Sequence, residues 1–337
     1  MRIGVIFTGG TIGSRIEQSG YINTQANAPY QLLEKYEKKY GTQIEFITKE
    51  PYRILSENLQ AENILQLKDC VKEQIDRGDL SGIIITHGTD TLQYSAALLS
   101  YIFAGADIPI ILVSSNYVLE DERANGFCNF EYAVRFIEGD YGKGVFVSYQ
   151  NDKEEPTIHW GTRLQPPIPF SDKVYSVKDL WYGKFSVKSN EFTKSIFDKE
   201  PIKEERMFKS TESIKLTDIN TEVLRIMPYP GMSYPQLEDK VKAVLHESFH
   251  SGTICVENTL KIFVKNAERL SVPVYITGIS RKETGYDTVR IYKELGVLPL
   301  YDRAVIAQYC KLWLAVSNGM DVQSIMKESF AQENCAR

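Results

Sequence analysis

The chain is poor in the residues that metal and disulfide chemistry require. It has four histidines, none spaced from another histidine, a cysteine or paired carboxylates as metal ligands are, so no metal is expected. Its five cysteines (Cys70, Cys128, Cys255, Cys310 and Cys335) are odd in number, widely separated and form no CxxC pair. That excludes a disulfide framework or structural zinc site and fits reduced thiols in a cytoplasmic protein. No apolar run approaches the roughly 18 residues of a membrane span. The opening MRIGVIFTGG has no separate charged and apolar regions before a cleavage site; it reads as a buried first strand, not a signal peptide. Positive charge is not in excess: 39 Lys and Arg against 44 Asp and Glu leave a net charge of −5. Nucleic acid is therefore not an expected partner, and neither is a membrane.

What is present is an ordinary globular composition, 43% hydrophobic and 25% charged, over 337 residues. That length exceeds one usual core and predicts two domains. In the first half, short β-branched runs at 2–8, 44–48, 82–86, 109–113 and 145–148 lack strict alternation, as strands covered on both faces do. Between them, 25–40, 61–77, 91–103 and 126–138 have helical spacing. Such alternation predicts an α/β fold: a larger N-terminal parallel-sheet domain with helices on both faces. Residues 158–176 read as strands and turns, since the prolines there bar a helix. A charged, aromatic stretch without period follows. Strand patterns then resume at 222–227, 243–246 and 273–277, with helices at 259–269, 288–295 and 303–316, which predicts a smaller C-terminal α/β domain. The expected boundaries are 1–190 for the first domain, 191–215 for a linker and 216–337 for the second.

In parallel sheets ligands bind beyond the carboxyl ends of strands. Two such ends carry threonine and glycine. The first is Thr8-Gly9-Gly10-Thr11-Ile12-Gly13-Ser14, whose paired glycines permit a sharp turn and a close backbone approach. It has neither the G-x-G-x-x-G nor the P-loop spacing. The second is Thr86-His87-Gly88-Thr89-Asp90-Thr91. Each has a plainer reading: a tight turn without chemistry at the first, and Thr89 or Asp90 as N-cap of the following helix at the second. Jointly, two hydroxyls at strand ends on one sheet edge suit a hydroxyl nucleophile and its activator. No G-x-S-x-G elbow is present, and His87 is expected to pack in or near the sheet.

TGGTIGS after the first strand together with ITHGTDT after a later one resembles the N-terminal-type L-asparaginase family, cytosolic branch. Supporting similarity lies in Arg123-Ala124-Asn125-Gly126 with Asn129, in Tyr229-Pro230-Gly231-Met232, and in Glu17-Gln18-Ser19-Gly20-Tyr21, which resembles the family's lid. The resemblance implies Thr11 as the nucleophile that forms an acyl-enzyme. It implies Tyr21 as the lid tyrosine bonded to that hydroxyl, and Thr89 as the second catalytic threonine. Asp90 would hold the substrate ammonium, and Ser56 with Glu57 its α-carboxylate. It implies hydrolysis of L-asparagine to L-aspartate and ammonia without a cofactor, in a homodimer or dimer of dimers. A zwitterionic amino acid does need an anion for its ammonium and neutral donors for its carboxylate.

The match fails at two places. The family's lysine near its fifth strand falls on Pro166, inside Gln165-Pro166-Pro167, and the next lysine downstream is Lys173. Thr253 stands where the family often has an asparagine that reaches a neighbouring protomer's site. Slow turnover is the consequence expected, since general-base assistance is typically worth about 10²–10⁴-fold. The alternatives are an amidase of the same fold for glutamine or a larger amide, including a transamidation subunit, or a non-catalytic amino-acid-binding protein.

Overall fold

The computed structural model describes residues 1–16, 21–24, 30–198, 206–217, 222–281 and 285–336. In chain order the elements are β1 (Arg2–Phe7), β2 (Ser14–Ile16), β3 (Ile22–Thr24), α1 (Tyr30–Tyr40), β4 (Glu45–Lys49), α2 (Ala61–Asp76), β5 (Gly82–Thr86), α3 (Leu92–Ile102), β6 (Pro109–Val113), α4 (Gly126–Glu138), β7 (Gly144–Tyr149), β8 (Thr157–Trp160), β9 (Gly183–Phe185) and β10 (Phe192–Lys194). There follow β11 (Val223–Ile226), β12 (Ala243–Glu247), α5 (Asn258–Arg269), β13 (Val274–Ile279), α6 (Asp287–Glu294), β14 (Leu298–Tyr301), α7 (Val305–Ser317) and α8 (Val322–Lys327).

The larger sheet has the order β10-β9-β8-β7-β6-β5-β1-β4. Strands β4, β1, β5, β6 and β7 are parallel, as the unalternating apolar runs predict. The remaining three add on antiparallel, so the sheet is mixed at one end. Strand β10 lies in the stretch expected to be a linker; its three residues are too short to show a period in the sequence. Ile83, Ile85, Ile110 and Leu112 face α2 and α3, while Val5, Ile84, Ile111 and Val113 face α1 and α4. Both faces are thus buried, which is why these strands consist of β-branched residues without polar alternation.

The smaller sheet, β11-β12-β13-β14, is parallel throughout. Helix α7 belongs to both units: Ile306, Ala307, Cys310 and Leu314 join the apolar layer over α3, and Leu312 packs under the second sheet. Among the described residues no helix is long and apolar enough to cross a membrane.

The strand order fixes where a ligand binds. After β1 the chain moves outward to β4; after β5 it moves the opposite way to β6, although β1 and β5 are neighbours. Connections diverging from adjacent strands leave a crevice at their carboxyl ends. Both threonine loops issue from that point.

Candidate active site

The crevice is built by three backbone segments drawn close by glycine. The Thr8 hydroxyl donates to the Thr86 carbonyl at 2.7 Å, tying the ends of β1 and β5. Gly9 and Gly10 then turn the chain with φ of 102° and 72°, the left-handed region that glycine tolerates. The Gly10 N–H donates to the Ile54 carbonyl at 2.9 Å, and the Ile54 N–H to the Thr8 carbonyl at 3.1 Å. The first loop is therefore stitched to the segment that follows β4. An added Cβ at Gly10 would come within 2.4 Å of the Gly88 Cα and N, and one at Gly88 within 2.3 Å of the Ser56 Oγ. No residue with a side chain fits at either position without displacing its neighbour.

Thr11 opens a 3₁₀ turn (Thr11–Gly13) and is half-buried. The turn is braced by Gly13 N–H and the Ser14 hydroxyl, both donating to the Gly10 carbonyl at 2.9 and 2.7 Å. Ser56 starts a second 3₁₀ turn and is buried; its hydroxyl has no hydrogen-bond partner among the described residues. Glu57 beside it is exposed. Thr89 is half-buried and Asp90 exposed, at the amino end of α3. Neither caps that helix: the N-cap is Thr91, whose hydroxyl donates instead to the Ser56 carbonyl at 2.9 Å. The structure thus gathers the loops of Thr11, Ser56, Thr89 and Asp90 at one sheet edge. Tyr21 is apart from them, 77% exposed and without a hydrogen bond to Thr11; Glu17, Gln18, Ser19 and Gly20 of the lid-like segment lie outside the described residues.

His87 is fully buried between the Gly88 carbonyl and the Ser95 hydroxyl, each at 2.8 Å from a ring nitrogen. Burial lowers its pKa, so the ring is neutral at pH 7 and serves to hold the loop.

A cavity of about 350 Å³ extends from this edge. Thr89, Asp90, Leu92 and Gln93 line one side, and the chain from Leu164 to Val174 lines the other. That wall carries Pro167, Ile168, Pro169 and Phe170 where the family resemblance leads one to expect a lysine. Lys173 borders the cavity but turns to Glu154, at 3.7 Å. No cation among the described residues lies in ion-pair range of the Asp90 carboxylate. The wall is anchored from behind: the Thr162 hydroxyl donates to the Ala331 carbonyl at 2.8 Å and Arg163 Nε to the Gln332 carbonyl at 2.7 Å. Thr253 lies in the second unit, in the loop after β12, its hydroxyl 3.0 Å from that of Ser251.

Sequence reading missed Gln93, which is buried and donates its side-chain N–H to the Asp90 carbonyl at 3.0 Å. A buried glutamine on a helix has no spacing signal; only the helix orientation reveals it.

A mostly parallel sheet with its crevice at the switch point, joined to a smaller parallel sheet, defines the class as the two-sheet asparaginase fold. The thermostable L-asparaginase of Thermococcus kodakarensis has this architecture: its solved structure superposes with a TM-score of 0.76 over 100% of both chains, at 23% identity. Residues 2–166 match the family described as "Asparaginase, N-terminal", and the match is that of a divergent asparaginase-family amidohydrolase. In sequence it is 26% identical to the L-asparaginase of T. kodakarensis, over 97% of this chain and 96% of that one. It is also 26% identical to a subunit of the glutamyl-tRNA(Gln) amidotransferase of Sulfolobus acidocaldarius, over 98% of this chain and 74% of that one.

Proposed function

We propose that this protein hydrolyses the side-chain amide of L-asparagine or a near relative, releasing ammonia through an ester on Thr11. The observation that carries this reading is the triple approach of Gly10, Gly88 and Ser56, which leaves the Thr11 and Thr89 loops and an unpartnered buried serine hydroxyl around one crevice. Asp90 supplies the anion for a substrate ammonium, and Ser56 a neutral donor for its carboxylate.

In the reaction, Thr11 Oγ attacks the amide carbon while its proton passes to the departing nitrogen. The C–N bond breaks, ammonia leaves, and water cleaves the ester to regenerate the threonine. The backbone N–H groups of Thr11 and Thr89 donate to no protein group among the described residues. Such donors are suited to the oxyanion, where one is worth about 3–4 kcal/mol. Without a cation beside Asp90, proton transfer through Thr89 is weakly assisted, so turnover is slow relative to substrate binding.

A second reading, an ammonia-supplying amidotransferase component, is favoured by the equal identity to the amidotransferase relative. The experiment is ammonia release from L-asparagine, L-glutamine and their D-isomers, with calorimetric binding in parallel. Release from L-asparagine supports the first reading; release from L-glutamine alone supports the second; binding without release by any of them refutes both.

A further inference from the structure

We infer that the loop 165–174 forms a subsite for an apolar group on the α-nitrogen of the substrate, so that an N-aminoacyl asparagine with an apolar first residue is preferred to free asparagine. The inference rests on the amidohydrolase reading and deepens it. One wall of the cavity is the edge that carries Thr89 and Asp90; the opposite wall carries an apolar strip of Pro167, Ile168, Pro169 and Phe170, flanked by Gln165 on one side and Ser171 and Asp172 on the other. Ile168 is 54% exposed and Phe170 fully so, the latter at a backbone φ of 64°. Apolar side chains facing a cavity rather than a core gain from burial only when a ligand covers them.

The direction of the extension follows from which residues share the cavity. Asp90, assigned to the ammonium, lines it; Ser56 and Glu57, assigned to the carboxylate, do not. The added group therefore leaves from the nitrogen side, and the carboxylate stays free. Asp90 has no cation within ion-pair range among the described residues, so its charge remains available to the amino terminus of the added residue. Lys173, the one cation on the strip's wall, is drawn to Glu154 and leaves the strip apolar.

The test measures ammonia release and calorimetric binding for L-asparagine, glycyl-L-asparagine and L-leucyl-L-asparagine, in the intact protein and in Phe170→Ser and Ile168→Ser/Phe170→Ser. The strip's exposure keeps these substitutions clear of the core. We expect kcat/KM for the leucyl compound at least tenfold above that for the glycyl one, in the range that a few methylenes give, and a fall of that ratio to within about threefold in the double variant. If asparagine is hydrolysed but the leucyl and glycyl compounds are equivalent, the subsite is overturned while the amidohydrolase reading stands. If nothing is hydrolysed yet the leucyl compound binds tenfold tighter through the loop, the subsite stands and that reading fails. If there is no leucyl preference and the double variant converts a dimer to a monomer by sedimentation, the strip is a contact between copies and the inference is overturned.

Discussion

Ser56 and Gly88 stand so close that a single carbon added to Gly88 would lie 2.3 Å from the Ser56 hydroxyl oxygen. The contact joins the segment after β4 to the loop after β5 and makes the crevice depend on the absence of one side chain. Gly88→Ala is expected to lower ammonia release by at least 100-fold, because the loop bearing Thr89 must shift. Ser56→Gly alone removes a binding group, yet in combination with Gly88→Ala it opens space for the new methyl. The double variant should therefore be more active than the product of the single effects predicts. Additive losses in this cycle would show that the contact does not set the loop.

Thr11→Ala is expected to reduce ammonia release by more than 10³-fold with stability changed by less than about 1 kcal/mol, as for other substitutions outside the core. Steady-state kinetics and urea unfolding check the two halves. Substantial remaining activity would exclude Thr11 as the nucleophile.

Asp90→Ala is expected to raise KM for substrates with an α-amino group and to leave those without one nearly unaffected. Paired kinetics on L-asparagine and its deamino analogue decide it; an equal loss for both would refute the ammonium role.

Acid should destabilise the fold well above the range where carboxylates protonate. His87 and His159 are fully buried, and burial lowers both pKa values, His159 to about 3. Below about pH 6.5 the unfolded chain takes up protons at these residues that the folded chain does not. Stability is then lost as pH falls, His159 alone contributing a slope that approaches about 1.4 kcal/mol per pH unit once the unfolded chain is fully protonated there, with His87 acting in the same direction. Urea midpoints at pH 6.5, 6 and 5.5 measure the slope. His159→Gln should flatten it by between about half a proton and one proton; an unchanged slope would place the proton uptake elsewhere.

Glu333 and Lys311 form a fully buried ion pair at 2.6 Å, with Gln308 and Tyr101 donating to the same carboxylate. It fastens the C-terminal segment, whose Ala331 and Gln332 carbonyls hold Thr162 and Arg163 behind the cavity wall. Glu333→Ala removes the carboxylate from the buried Lys311 ammonium, which keeps only neutral acceptors such as the Glu328 carbonyl at 2.7 Å, and should cost about 3–5 kcal/mol, read by urea unfolding. A loss below about 1 kcal/mol would mean that the segment relaxes and lets water reach the lysine.

The sequence by itself determined the parallel heart of the larger sheet and the two loops that matter. Strands buried on both faces must be apolar throughout, and the glycine-threonine runs that follow β1 and β5 stand directly after such strands; both facts are local and are written in the residue order. From the sequence alone comes the expected departure from the family at Pro166, where the aligned position holds a proline instead of a lysine. Only the tertiary structure decided the rest. Strand β8 falls where the sequence reads as strands and turns, but β9 and β10 are too short for a period and are fixed by antiparallel pairing along the edge that β8 presents. The meeting of Ser56 with Gly88 depends on strand order, which brings segments distant in the chain to one switch point. The apolar wall opposite Asp90 and the buried Glu333 that fastens the C-terminal segment behind it are likewise long-range. A carboxylate near the end of the chain reads as solvated until folding encloses it with Lys311.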